Sequence, residues 1–126
     1  MTPADIPEDV LRFIRSHIDT VPHLEALLLV WESAPKEWTT EELAARLYVD
    51  VANATRISND LTRLRMFKST DSGFAYDPTG EHADILPRVA ESYRRQLVQV
   101  ARFIHSKGSA EMQEFARAFK FKPDER

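Results

Sequence analysis

The segment from Thr39 to Pro78, TTEELAARLYVDVANATRISNDLTRLRMFKSTDSGFAYDP, constrains the chain most, because it writes two helix starts, a corner and a hairpin in immediate succession. Thr39 followed by Glu42 has capping-box spacing: the hydroxyl accepts from an amide of the first turn while the carboxylate reaches back to the cap residue's own amide. The spacing predicts a helix through Leu43, Ala44 and Leu47 that stops near Tyr48, with Val49 packing just beyond. Asp50 with Asn53 is a second N-cap signal only two residues later, so the connection has room for nothing but a sharp corner.

The next helix is predicted from Val51 to about Met66. At 3.6 residues per turn Ala54, Ile57, Leu61 and Leu64 fall on one face, while Ala52, Thr55, Arg56, Asn59, Thr62 and Arg63 point the opposite way. One side packs; the other is small, polar or cationic. A helix divided in this way can enter a major groove and pair with base edges, Asn with adenine and Arg with guanine. Met66, Phe67 and Lys68 then lead through Ser69 to Phe74, Ala75 and Tyr76. Gly73 is placed to take the positive φ of a hairpin turn, and Pro78 closes the second strand.

Helix, corner, helix and hairpin in this order describe a winged helix-turn-helix. The run from Leu43 to Phe67 resembles the winged helix-turn-helix bacterial regulators, the broad MarR-like, PadR-like and ArsR-like group. LAARLYV stands where such proteins carry their first helix and corner, and Leu61 and Met66–Phe67 stand at their leucine and final apolar pair. Two positions depart from the pattern: Ser58 lies where an apolar residue is usual, and Arg65 replaces the glycine that commonly precedes the first wing strand. HLEALLLVWESAPKEWTTEELAARLY and the ending FIHSK…FARAFKFK are also similar to small bacterial proteins of unassigned function. The resemblance implies a DNA-binding transcriptional regulator, often a homodimer joined by a long helix after the wing.

With 126 residues the chain is expected to be a single winged-helix domain, 1–126, large enough for one core. Its N-terminus, MTPADIPEDV, lacks the basic and apolar regions of a signal peptide, and no apolar run is long enough to span a bilayer, so a cytoplasmic location is expected. The absence of cysteine excludes disulfides and thiolate metal sites. The net charge of −3 means that any affinity for nucleic acid must come from locally concentrated cations, since phosphate neutralisation supplies most non-specific binding. Arg56, Arg63, Arg65 and Lys68 stand against Asp60 in the reading head, and Arg88, Arg94, Arg95, Arg102 and Lys107 against Glu91 farther on.

Pro7, Glu8 and Asp9 start a helix carrying Val10, Leu11, Ile14 and Ile18 on one face. Thr20 and Pro22 start the next, whose middle, LEALLLVW, is apolar almost all round and reads as the central buried helix, with Pro35 ending it. Trp31 and Trp38 are assigned to core packing. Residues 79–107 read as one long helix with Val89, Tyr93, Leu97, Val100 and Ile104 in a narrow stripe; Pro87 either kinks it or marks its first turn, with Asp84 as cap. Such a stripe packs on the domain or on a second chain. A C-terminal helix over 109–120 carries Met112, Phe115, Ala116 and Phe119.

His17, His23, His82 and His105 show no ligand spacing, and the three glycines build no phosphate-cradling loop or nucleophile elbow. No enzymatic role, metal or cofactor is expected. The candidate DNA-binding residues are Asn53, Thr55, Arg56, Asn59, Arg63 and Lys68, with double-stranded DNA as partner. The rival reading is a winged-helix protein-interaction module that does not bind DNA. A ligand pocket near Trp31, Trp38 and Tyr93 is compatible with the first reading.

Overall fold

The computed structural model describes residues 6–107. Its elements follow in the order α1 (Glu8–His17), α2 (Val21–Glu32), α3 (Thr40–Leu47), α4 (Val51–Arg63), β1 (Phe67–Ser69), β2 (Phe74–Tyr76) and α5 (Leu86–Arg95), with residues 97–107 forming a further helix, α6. The fold is mainly α, with one antiparallel hairpin after α4 and two helices after the hairpin, an order compatible with a winged helix-turn-helix carrying extra helices before and after it. The expected helix over 109–120 lies outside the described residues.

α2 is the centre. Thr20 caps it by accepting from the His23 amide at 3.2 Å, and Leu24, Ala26, Leu27, Leu28 and Val30 are buried around its circumference. It packs against α3, α4 and β2, which is why its sequence shows almost no polar face. α1 turns Val10, Leu11, Phe13 and Ile14 inward, and Ile18 follows them into the core just past the helix end.

The capping box of α3 forms in both directions: Thr39 Oγ1 accepts from the Glu42 amide and Glu42 Oε1 from the Thr39 amide, each at 3.1 Å. α3 ends where Tyr48 adopts φ 59° and ψ 46°, and Asp50 Oδ1 accepts from the Asn53 amide at 2.8 Å to start α4. Ala54, Ile57, Ser58 and Leu61 face the core. Ser58 is tolerated there because its hydroxyl donates to the Thr55 carbonyl at 3.1 Å. α4 stops at Arg63, short of the expected Met66: Leu64 is left partly exposed, Arg65 turns the chain at φ 66°, and Met66 and Phe67 swing inward. Arg65 thus takes a left-handed conformation at the position where the resembled proteins carry glycine.

In the hairpin Phe67 faces Tyr76, Lys68 faces Ala75 and Ser69 faces Phe74. Gly73 does not have a positive φ, contrary to expectation. Its requirement is steric, since a Cβ there would lie 1.9 Å from the Trp38 carbonyl oxygen. Trp38 crowds that point because it bridges to Phe74 through two backbone hydrogen bonds of 2.7 and 2.9 Å, extending the hairpin by one residue of a third strand. Its indole is buried and donates to Ser33 Oγ at 3.0 Å.

The single long helix expected over 79–107 is not formed. Asp77 Oδ1 accepts from both the amide and the hydroxyl of Thr79, at 3.0 and 2.7 Å, and holds the chain in a turn. α5 begins only at Leu86, with Pro87 in its first turn; Ile85, not Asp84, occupies the cap position and supplies no side-chain bond. At Gln96, φ −128° and ψ 46° break the helix before α6. Val89, Val100 and Ile104 are buried, whereas Leu97 is 51% exposed, so the predicted stripe is interrupted in its middle. Arg88 pairs with Asp9, and Lys107 donates to the Ile18 carbonyl at 2.7 Å, docking both helices against the first one. No helix among the described residues is long and apolar enough to cross a membrane.

Candidate nucleic-acid interface

α4 is anchored by its inner residues, and that anchoring decides which side chains face outward. Leu61 and Ala54 are fully buried and Ile57 nearly so, which fixes the rotation of the helix about its axis. Arg56, Asn59 and Arg63 are exposed; Asn53, Thr55 and Thr62 are partly so. Arg56 and Asn59 stand three residues apart, a rise of about 4.5 Å along the helix.

Local hydrogen bonds set what each side chain offers. Arg56 donates to Asn53 Oδ1 at 2.6 Å, which draws its guanidinium toward the N-terminal end of α4. The Thr55 hydroxyl donates back to the Val51 carbonyl at 2.9 Å and is thereby engaged within the helix. Arg63 donates to Asp60 Oδ1 at 2.7 Å, so a carboxylate within the same helix offsets part of its charge. Lys68 is exposed on β1 and borders a groove of about 470 Å³ with Pro35, Glu37, Thr70 and Tyr76, a set that includes no residue of α4. The hairpin tip is held toward the same connection by Ser72, whose hydroxyl donates to Glu37 at 2.7 Å. The fold therefore gathers Asn53, Arg56, Asn59 and Arg63 on one helix, with Lys68 on the strand that follows it.

Two features of this region had no counterpart in the sequence reading. Tyr48 is 93% exposed at the corner between α3 and α4, and Val51 is also exposed, so this corner presents apolar surface beside the cations of α4. His23 is buried between α2 and α4: Nδ1 lies 2.7 Å from Thr20 Oγ1 and Nε2 lies 2.8 Å from Asp60 Oδ2. The spacing of the histidines along the chain carried no sign of this convergence, which joins residues 37 apart.

Elsewhere, Tyr93 donates to Glu25 at 2.7 Å, and burial together with that carboxylate pushes its phenol far above the ordinary tyrosine range. It borders a groove of about 410 Å³ with Leu28, Leu29, Ala90 and the exposed Leu97. The expected pocket near Trp31, Trp38 and Tyr93 does not take that form, because Trp38 is sealed in the core against Ser33. Comparison with protein-family models, with curated proteins and with solved structures gave no match.

Proposed function

We propose that the protein binds double-stranded DNA through the outward face of α4 and acts as a transcriptional regulator. The observation that carries this reading is the pairing of an anchored inner face, Ala54, Ile57 and Leu61, with an exposed outer face bearing Arg56, Asn59 and Arg63. A helix fixed in rotation presents the same side chains at every encounter, which base readout needs. Arg56 and Asn59 contact base edges; Asn53, Thr55 and Arg63 support them, and Lys68 meets backbone phosphate outside the α4 footprint. The protein acts as a homodimer, with Leu97 and Val98, 51% and 55% exposed, covered by the second copy. Two α4 helices then meet half-sites one helical turn, roughly 34 Å, apart.

A second reading has its own observation. Exposed Tyr48 and Val51 at the corner, and Leu64 at the far end of α4, suit a protein partner better than a phosphate backbone.

Selection from random duplexes followed by salt titration tests the choice. Arg56→Ala and Asn59→Ala each cost about 1–3 kcal/mol on the selected site and relax preference at one base position, and log affinity falls with log salt by about 0.9 per phosphate contacted. Absence of any enriched sequence, or residual binding indifferent to both substitutions, overturns the DNA reading and leaves the corner as a protein-docking surface.

A further inference from the structure

His23 is only 7% exposed, yet it faces two carboxylates from different parts of the chain. Asp19 comes from the connection before α2 and Asp60 from the last turn of α4; one atom from each of the three side chains lies within 4.8 Å of the other two. Without a metal, Nε2–H donates to Asp60 Oδ2 at 2.8 Å and Nδ1 accepts from the Thr20 hydroxyl at 2.7 Å; a metal ion would replace the Nε2 proton, and Nδ1–H would then donate to Thr20 Oγ1. A hydrogen bond to the other ring nitrogen is the usual way a protein orients a metal-binding imidazole. Asp60 uses Oδ1 for Arg63, so Oδ2 can serve a second role without breaking that pair.

We propose that Asp19, His23 and Asp60 form a site for a divalent transition-metal ion, with Zn²⁺ the probe best matched to one imidazole and two carboxylates. Hard ions such as Mg²⁺ favour all-oxygen shells, and the imidazole selects against them. Three protein ligands leave a fourth position for water. Ligand atoms around a tetrahedral zinc stand roughly 3.3 Å apart at bond lengths near 2.0 Å, so the His23–Asp60 pair, now 2.8 Å apart, opens slightly and Asp19 moves in. Asp19 supplies that movement: its side chain is 70% exposed, and it turns away from the buried Lys107 ammonium 3.6 Å from it. The bound ion ties the start of α2 to α4. The site stands independently of DNA binding.

Titration of the full chain with Zn²⁺ in competition with a chromophoric chelator tests this directly, with circular dichroism confirming that each variant is folded. One Zn²⁺ per chain is expected, with affinity lowered about tenfold or more in Asp19→Asn, at least the loss that disturbing even an outer-shell partner causes. His23→Gln also weakens binding, His17→Gln does not, and excess Mg²⁺ does not displace the zinc. Asp19→Asn is the decisive variant because the side chain is exposed and its loss leaves the core intact. Wild-type affinity in that variant, or binding lost through His17→Gln instead, overturns the proposal and leaves the three residues as a plain ion-pair cluster.

Discussion

The stretch from Thr39 to Tyr76 and the stretch from Asp77 to Lys107 are held by different means. In the first, boundaries have local causes: a capping box at Thr39 and Glu42, a left-handed Tyr48, an Asp50 cap and a left-handed Arg65. In the second, α5 starts without a side-chain cap and the helix breaks at Gln96, where there is neither glycine nor proline. The contrast teaches that capping chemistry and backbone conformation define an element from within, whereas an apolar period alone leaves its phase to whatever it packs against.

Leu61 and Leu97 each occupy the apolar position of a predicted stripe, and replacing them breaks or sharpens that contrast. Leu61→Ala should destabilise by about 2–5 kcal/mol in denaturant unfolding, because its side chain is fully enclosed between α4 and the core. A loss below about half a kilocalorie would mean that α4 is not anchored and that its outward face is undefined.

A smaller effect is expected where the second stretch docks on α1. The rings of His17 and His82 lie 4.4 Å apart, beside Phe13, and His17 Nδ1 has no hydrogen-bond partner among the described residues. Burial, with the adjacent His82 charge and Lys107 adding to it and Glu81 opposing, holds the His17 pKa below its ordinary 6.5. The unfolded chain therefore takes up this proton at a higher pH than the folded one. The contribution to stability is complete above pH 6.5 and is lost as the pH falls from there through the lower folded value. His17→Gln should flatten the decline in melting temperature across that window; an unchanged slope would remove this contact from the titration.

The smallest change is expected at Leu97. In dilute protein, where single chains predominate, Leu97→Ala should alter unfolding by less than about 0.5 kcal/mol. If the proposed homodimer forms through this surface, Leu97→Glu should reduce the sedimenting species at tens of micromolar from two chains to one. A core-sized loss in the dilute experiment would restore the continuous stripe and end the distinction between the two stretches.

Legibility followed the range of the interactions. The caps of α3 and α4 could be read because each bond joins residues three apart. The exposed positions of Arg56, Asn59 and Arg63 followed from the period of a helix whose inner face is plainly apolar. Gly73 was recognised as necessary for the wrong reason: the need comes from the Trp38 carbonyl, which only the folded chain brings there. Tyr48 offered a weak signal, a large aromatic residue at a corner, but its exposure depends on how α3 meets α4.

By itself the sequence determined the mainly helical character of the domain, the tight corner between α3 and α4, the hairpin after them and the division of α4 into two faces. Those features rest on side chains bonding to nearby backbone and on a periodic apolar face, both written in consecutive residues. Only the tertiary structure decided that the helical segment after the wing starts late and breaks at Gln96, that Tyr48 stands exposed at the corner, and that His23 meets Asp19 and Asp60. These depend on contacts between distant segments, where the burial of Val100 and Ile104 outweighs the continuity of one helix, and where side chains with no relation in sequence become neighbours.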